Sequence, residues 1–274
     1  MRFPTHVTFW DKALMIATPI FATAMSRIYD LSFLQSTLVF FAVPSIYLSF
    51  RNPRLIKTTL IFSFVMGITM LFIFDHMAYL DASWSVPNSM WRFLRDSIPF
   101  EDGPWAVLLV FYVVITWEYF FFSPKKRYMF HLNIVWFIAF CASLLIVFFV
   151  AYVLAPTSLI VPYFYLKLGI LFEIIPIGIF LWRTPSVARP LLWLMFYFFF
   201  VAALAEFIGL RNNQWYFSGE HYIGEIQYFG HRLPWDEILF WWLLAAPGMV
   251  AWYESFAASR NKHTTPGSSN ALHI

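Results

Sequence analysis

The sequence predicts an all-α, polytopic membrane helix bundle of about eight spans, arranged as two parallel four-span repeats. Three observations predict it. The chain of 274 residues is 61% hydrophobic and 12% charged, with a mean hydropathy of +0.67, a balance that soluble domains do not carry. Apolar segments of about 20 residues, the length that crosses a hydrocarbon core, recur along nearly the whole chain. The features between those segments also recur at a nearly constant offset.

The apolar runs place spans at about 11–29, 31–50, 57–78, 104–122, 133–155, 162–182, 190–210 and 237–256. The first is the most dilute, because Thr18, Pro19, Thr23 and Ser26 interrupt it. Trp10, Asp11 and Lys12 precede it without a clear cleavage site, so a removable signal is not expected. Lys and Arg set the orientation. Arg2, Lys12, Arg51, Arg54, Lys57, Lys125, Lys126, Arg127, Arg183, Arg189, Arg260 and Lys262 fall on one side. Arg27, Arg92, Arg95, Arg211 and Arg232 fall on the other, with Lys167 inside a span. The partition predicts both termini in the cytoplasm and the long loops 79–103 and 211–236 on the opposite side.

Those two loops match each other. Asp75 corresponds to Glu206 and Trp84 to Trp215, both offset by 131, and Pro99 to Pro234, offset by 135. The difference of four residues is one loop insertion. The organisation read from this is a first four-span repeat over 1–125, a second over 126–260, and a polar, disordered tail over 261–274. An even number of spans per repeat keeps the two copies parallel.

Each repeat places two adjacent acids at the start of its last span: Glu101 and Asp102, then Asp236 and Glu237. Each pair follows a proline by two residues, so one reading is a capped helix start whose dipole favours nearby acids. That explains one acid better than two, because neighbours of like charge repel. The other reading is chemical. Carboxyl groups at a membrane boundary usually face the bundle interior and serve function, and one held in an apolar pocket can keep a proton and deliver it. Asp75 and Glu206, at the ends of the preceding spans, are candidates for the same cavity. Trp84, Trp105, Trp215, Tyr216 and Trp235 neighbour the acids and suit either a cation-stabilising wall or an interfacial aromatic belt. Glu118 and Glu254 lie at the opposite helix ends and read as paired structural carboxylates. Glu173, mid-span beside Pro176, has Lys167 six residues before it as a candidate partner.

Absences narrow the chemistry. The seven histidines form no HxxxH or HxxHH cluster, and there is no GxGxxG or DDxxD motif. These absences argue against a di-iron hydroxylase, a built-in dinucleotide site and a prenyl-diphosphate site. No cofactor and no metal are evident. The net charge of +3 and the absence of a basic block argue against nucleic acid. The single Cys141 can form no intrachain disulfide.

The pattern of a Trp after a short loop, then a hydrophobic-Pro-x-acid-acid element opening a helix, resembles the small membrane-embedded lycopene cyclases. Pro99-Phe100-Glu101-Asp102 and Pro234-Trp235-Asp236-Glu237 are similar to that family's Pro-x-Glu-Glu element, and Trp252-Tyr253-Glu254 to its Tyr-Glu helix end. The chain departs from the pattern at Asp102 and Asp236, and in the order Glu118-Tyr119. The resemblance implies a tandem fusion of two subunits in the plasma membrane of a bacterium or archaeon. It implies a non-redox cyclisation of the linear ends of lycopene: an acid protonates the terminal double bond, a neighbouring double bond attacks the cation, and a proton is lost. The acid doublets would then be the catalytic groups, with Asp75, Glu206 and the five aromatics holding the substrate. The partners implied are the lipophilic polyene, membrane lipids and other enzymes of the carotenoid pathway. Two other readings stay open on sequence: a carotenoid hydratase, which adds water to the same cation, and a proton-coupled transporter.

Overall fold

A computed structural model of the chain describes residues 7–121 and 133–256. The boundary between 125 and 126 and the tail 261–274 lie outside the described residues, as do Lys125, Lys126 and Arg127. Among the described residues there are eight long helices: α1 (Phe9–Ile28), α2 (Phe33–Arg51), α3 (Pro53–Leu80), α4 (Asp102–Phe121), α5 (Asn133–Leu154), α6 (Phe164–Arg183), α7 (Pro185–Arg211) and α8 (Glu237–Leu244 continuing as Ala245–Phe256). Six of them, α2 to α7, are long and apolar enough to cross a membrane. Polar residues set the other two apart: α1 carries Asp11, Lys12 and Arg27, and α8 carries Glu237 and Glu254 with Pro247 and Gly248 between them.

Helix starts follow local chemistry. Thr8 and Asp11 form a reciprocal capping box at α1, and Ser32 and Gln35 form one at α2. Pro53 and Pro185 open α3 and α7 with a single tight turn, where a missing N–H costs nothing. Asp11 is fully buried and clasps the first helix to the second, accepting from Tyr47 Oη at 2.6 Å and Arg51 Nε at 2.9 Å.

The bundle is built around α4, whose best apolar stretch is 72% buried, whereas that of α5 is only 22% buried. The α3–α4 contact is the most extensive between helices. Gly67 makes it possible, because a Cβ there would lie 2.7–2.8 Å from the side chain and backbone of Val107. The first helix of each half packs on the third helix of the other, α1 on α7 and α5 on α3. One hydrophobic cluster therefore runs through both halves.

Irregularities recur between the halves. α2 widens into a π-turn at Leu38–Ala42 and α6 does so at Ile170–Ile174, an offset of 132. Pro44 and Pro176, and the tight turns Pro53–Leu55 and Pro185–Val187, keep the same offset. π-turns also occur at Leu71–Asp75 in α3 and over Glu237–Leu244 in α8. Such insertions cluster at functional sites in proteins generally.

The loops contain two antiparallel hairpins that the apolar pattern did not predict. β1 (Arg92–Phe93) pairs with β2 (Ile98–Pro99), and β3 (Glu225–Tyr228) pairs with β4 (His231–Pro234). Phe229 and Gly230, with φ of 48° and 84°, turn the second hairpin, the left-handed pair that two-residue hairpin turns require. Each hairpin ends at the proline that leads into α4 or α8. Ahead of the hairpins the two loops cross, and there Ser85 N–H donates to Tyr216 O at 2.9 Å while Tyr216 N–H donates to Ser85 O at 3.0 Å. Ser85 and Tyr216 are themselves offset by 131.

Candidate functional site

Beneath the crossed loops lies one cavity of about 90 Å³. Three helices of each half line it: α2, α3 and α4 from the first, α6, α7 and α8 from the second. Its carboxyl groups are Asp75 and Asp102 from the first half and Glu206 and Glu237 from the second. Trp84, Trp105, Trp215 and Trp241 form much of its wall. Asp75 and Glu206 lie five residues inside the ends of their helices, and Asp102 and Glu237 open theirs. All four sit near the hairpin end of the bundle, and all are at least 94% buried.

The structure divides each doublet. Its second member, Asp102 or Glu237, faces the cavity. Its first member turns back and holds the loop. Glu101 accepts from Met90 N–H at 2.7 Å and from Ser89 Oγ at 2.5 Å. Asp236 accepts from Ile223 N–H at 2.8 Å.

In the second half the carboxyl pair is fully engaged. Trp215 Nε1–H donates to Glu206 Oε1 at 2.6 Å, the Tyr165 hydroxyl donates to Glu237 Oε2, and both carboxyl groups line the cavity. Trp215 reaches this position by lying flat on Gly209, where a Cβ would come within 2.0 Å of its ring. In the first half Trp84 stands against Asp75, with Ala78 at the position equivalent to Gly209. Asp102 Oδ2 is buried and has no hydrogen-bond partner.

The indoles of Trp105 and Trp241 stack across the two halves, with centroids 5.0 Å apart and an interplanar angle of 25°. A cavity of roughly 150 Å³ takes up benzene in a model protein, so entry of a larger hydrocarbon group here requires these rings or their neighbours to shift.

Of the aromatics selected by sequence, Trp84, Trp105 and Trp215 line the cavity, while Tyr216 and Trp235 do not. Tyr216 is spent on the loop crossing, and the ring of Trp235 packs over Gly224 on the outside. Sequence reasoning missed Tyr165, Trp241 and Phe33. Trp241 sits one turn after Glu237, a spacing that shares its helix face. Tyr165 carried no distinguishing signal in so aromatic a chain. Lys167 does not pair with Glu173: its Nζ donates to Pro162 O at 2.8 Å. Glu173 is buried against Gly248 instead, and its Oε2 has no partner. At the far end of the bundle Glu254 accepts from Trp117 Nε1–H at 2.5 Å, and Glu118 is buried outside the cavity.

The loops above the cavity carry their own clasps. Asp81 is buried and accepts from Ser83 Oγ at 3.0 Å, with His221 Nδ1 at 2.7 Å from its other oxygen. The Arg232 guanidinium beside Glu225 holds that carboxyl below its usual range. Burial pushes the Tyr222 hydroxyl up, and the proton it therefore keeps is donated to Ser83 O at 2.6 Å. Among the described residues no group of three or more His, Cys, Asp or Glu has the arrangement of a metal site. No protein-family model, no curated protein and no solved structure matches the chain, so its chemistry has to be read from these residues.

Proposed function

We propose that the chain is a membrane-embedded carotenoid cyclase, closing the linear ends of lycopene by acid/base chemistry through a carbocation. The observation that carries this reading is the convergence of four buried carboxyl groups and four indoles on one apolar cavity. Several buried acids in one place are costly, because each unpaired charge there loses its hydration. A site that spends so much on acids uses them. Four buried carboxyl groups lining one apolar cavity away from water are costly to ionise together, so a proton held among them is available to a substrate. Indole faces around such an acid stabilise a cation by about 0.5–2 kcal/mol per ring. Proton donor, cation wall and proton acceptor are the parts that an isomerising cyclisation requires, with no redox step.

In the same reading all eight helices cross the membrane, as two four-helix repeats in parallel. The matched π-turns, the proline offsets and the loop bond between Ser85 and Tyr216 support the duplication. The shortfall in apolarity of α1 and α8 fits it too, since Asp11 is paired with Arg51, and Glu237 and Glu254 are hydrogen-bonded inside the bundle. Both termini are assigned to the cytoplasm and the hairpins to the opposite face, in a bacterial or archaeal plasma membrane. Reporter fusions after Lys126 and after Arg211 should then report opposite sides. The same answer at both sites rules this topology out.

The function is tested by expressing the chain in a bacterium that accumulates lycopene. Products with cyclic ends and unchanged mass are expected. A gain of one water per end identifies a hydratase, and unchanged pigment with inserted protein removes the enzyme reading altogether.

A further inference from the structure

The acids of the two halves do not form two sites. Each half supplies two carboxyl groups and two indoles, and all of them line the same cavity. That cavity is about 90 Å³, whereas roughly 150 Å³ takes up a single benzene, so it has room for one end group at most. It is also closed along the length of the bundle. Above it the loops are joined by the main-chain bonds between Ser85 and Tyr216. Two further bonds tie them there: Ser218 Oγ–H donates to Ala82 O at 3.2 Å, and the Tyr222 hydroxyl donates to Ser83 O at 2.6 Å. Below it Val110, Val113 and Val114 of α4 are buried in the packed interior.

The cyclase reading gives this cavity a substrate with two identical ends. A conjugated C40 polyene is stiff and extended, and its ends lie roughly 30 Å apart, a length comparable to the thickness of the hydrocarbon core. It cannot bend to offer its second end while the first is held, and a cavity closed above and below cannot pass it through. Resting on that reading, we propose that the chain closes one end per encounter, releases the half-cyclised polyene into the bilayer, and takes it up again, end for end, as a second substrate. The half-cyclised polyene is then a free product, open to any other membrane enzyme that acts on its remaining linear end.

Each closure balances on its own. A carboxyl O–H breaks and a C–H bond forms at the terminal double bond. The neighbouring double bond supplies the electrons of the ring C–C bond, which leaves a ring cation. A C–H bond beside that cation breaks, its electrons make the new double bond, and its proton returns to a carboxylate of the cavity. The site therefore ends each closure as it began, with nothing to reload, and the second closure waits only for the substrate to turn round.

Membranes from cells expressing the chain are supplied with lycopene in excess over enzyme, and separately with the singly cyclised polyene alone, and the pigments are resolved over time. Singly cyclised product should appear first and doubly cyclised product after a lag. The singly cyclised polyene supplied alone should be closed at its free end. Doubly cyclised product without a lag, at any excess of lycopene, overturns release between closures. Refusal of the singly cyclised polyene overturns its role as a second substrate. Asp75→Asn and Glu206→Gln, one acid from each half, test the shared site, with membrane insertion checked for both. Each should slow closure of lycopene and of the singly cyclised polyene by the same factor, roughly a hundredfold or more. A variant that stops one substrate and spares the other, or that keeps half or more of the natural rate, overturns the shared site. A natural chain that leaves lycopene unchanged ends the cyclase reading itself, whereas double closure without a lag leaves that reading standing and ends only this inference.

Discussion

Glu206→Gln should lower the conversion of lycopene by roughly 10²–10⁴-fold, while Glu101→Gln retains most of its turnover and loses stability instead. The amide at 206 keeps the shape and the bond from Trp215 Nε1, 2.6 Å away, but it has no acid proton to give. At 101 the opposite holds. Both oxygens of Glu101 are engaged, one by Met90 N–H and one by Ser89 Oγ. An amide there turns one acceptor into a donor facing a donor, at a cost of about 1–3 kcal/mol. Product per inserted chain, measured beside the thermal midpoint in detergent, separates the two effects. Comparable loss of turnover in both variants would mean that the first acid of the doublet works in the chemistry as well.

Gly67→Leu should give no folded bundle. A side chain at 67 does not meet a flexible neighbour that can step aside, since the Val107 backbone itself lies 2.8 Å from the ideal Cβ. The α3 and α4 axes would have to separate, and α4 is the helix on which the rest is assembled. Overpacking a tight core typically costs about 1–3 kcal/mol even where side chains can adjust, and here backbone must move. Gel filtration of detergent-extracted protein should show aggregation for Gly67→Leu and a single peak for Gly178→Ala, because nothing lies within 4 Å of the Cβ that the latter adds. A single peak for both would mean that the α3–α4 contact is looser than this packing implies.

Helix positions were legible because a span announces itself by length and apolarity alone. The run expected at 104–122 begins at Asp102, and the run expected at 57–78 extends over Pro53–Leu80. Six helices meet that description on composition; α1 and α8 are helical but more polar, which a period-based reading does not separate. The hairpins were not legible. Leu94, Arg95 and Asp96 all take positive φ between β1 and β2, and none of them is a glycine that would mark a turn. The acids drew attention in sequence because charge is rare in this chain, but which member of a doublet points inward depends on tertiary packing. Lys167 and Glu173, six residues apart, miss the three- or four-residue spacing that joins side chains on a helix, and the lysine reaches a loop carbonyl instead.

The bond between Ser85 and Tyr216 joins the halves through main chain alone, and main chain is nearly blind to residue identity. A substitution scan across that crossing should be almost silent, with proline the exception because it has no N–H to give. Side chains at that crossing are therefore free to change while the joint between the two loops persists, and the contact is held in the path of the backbone rather than in the letters of the sequence.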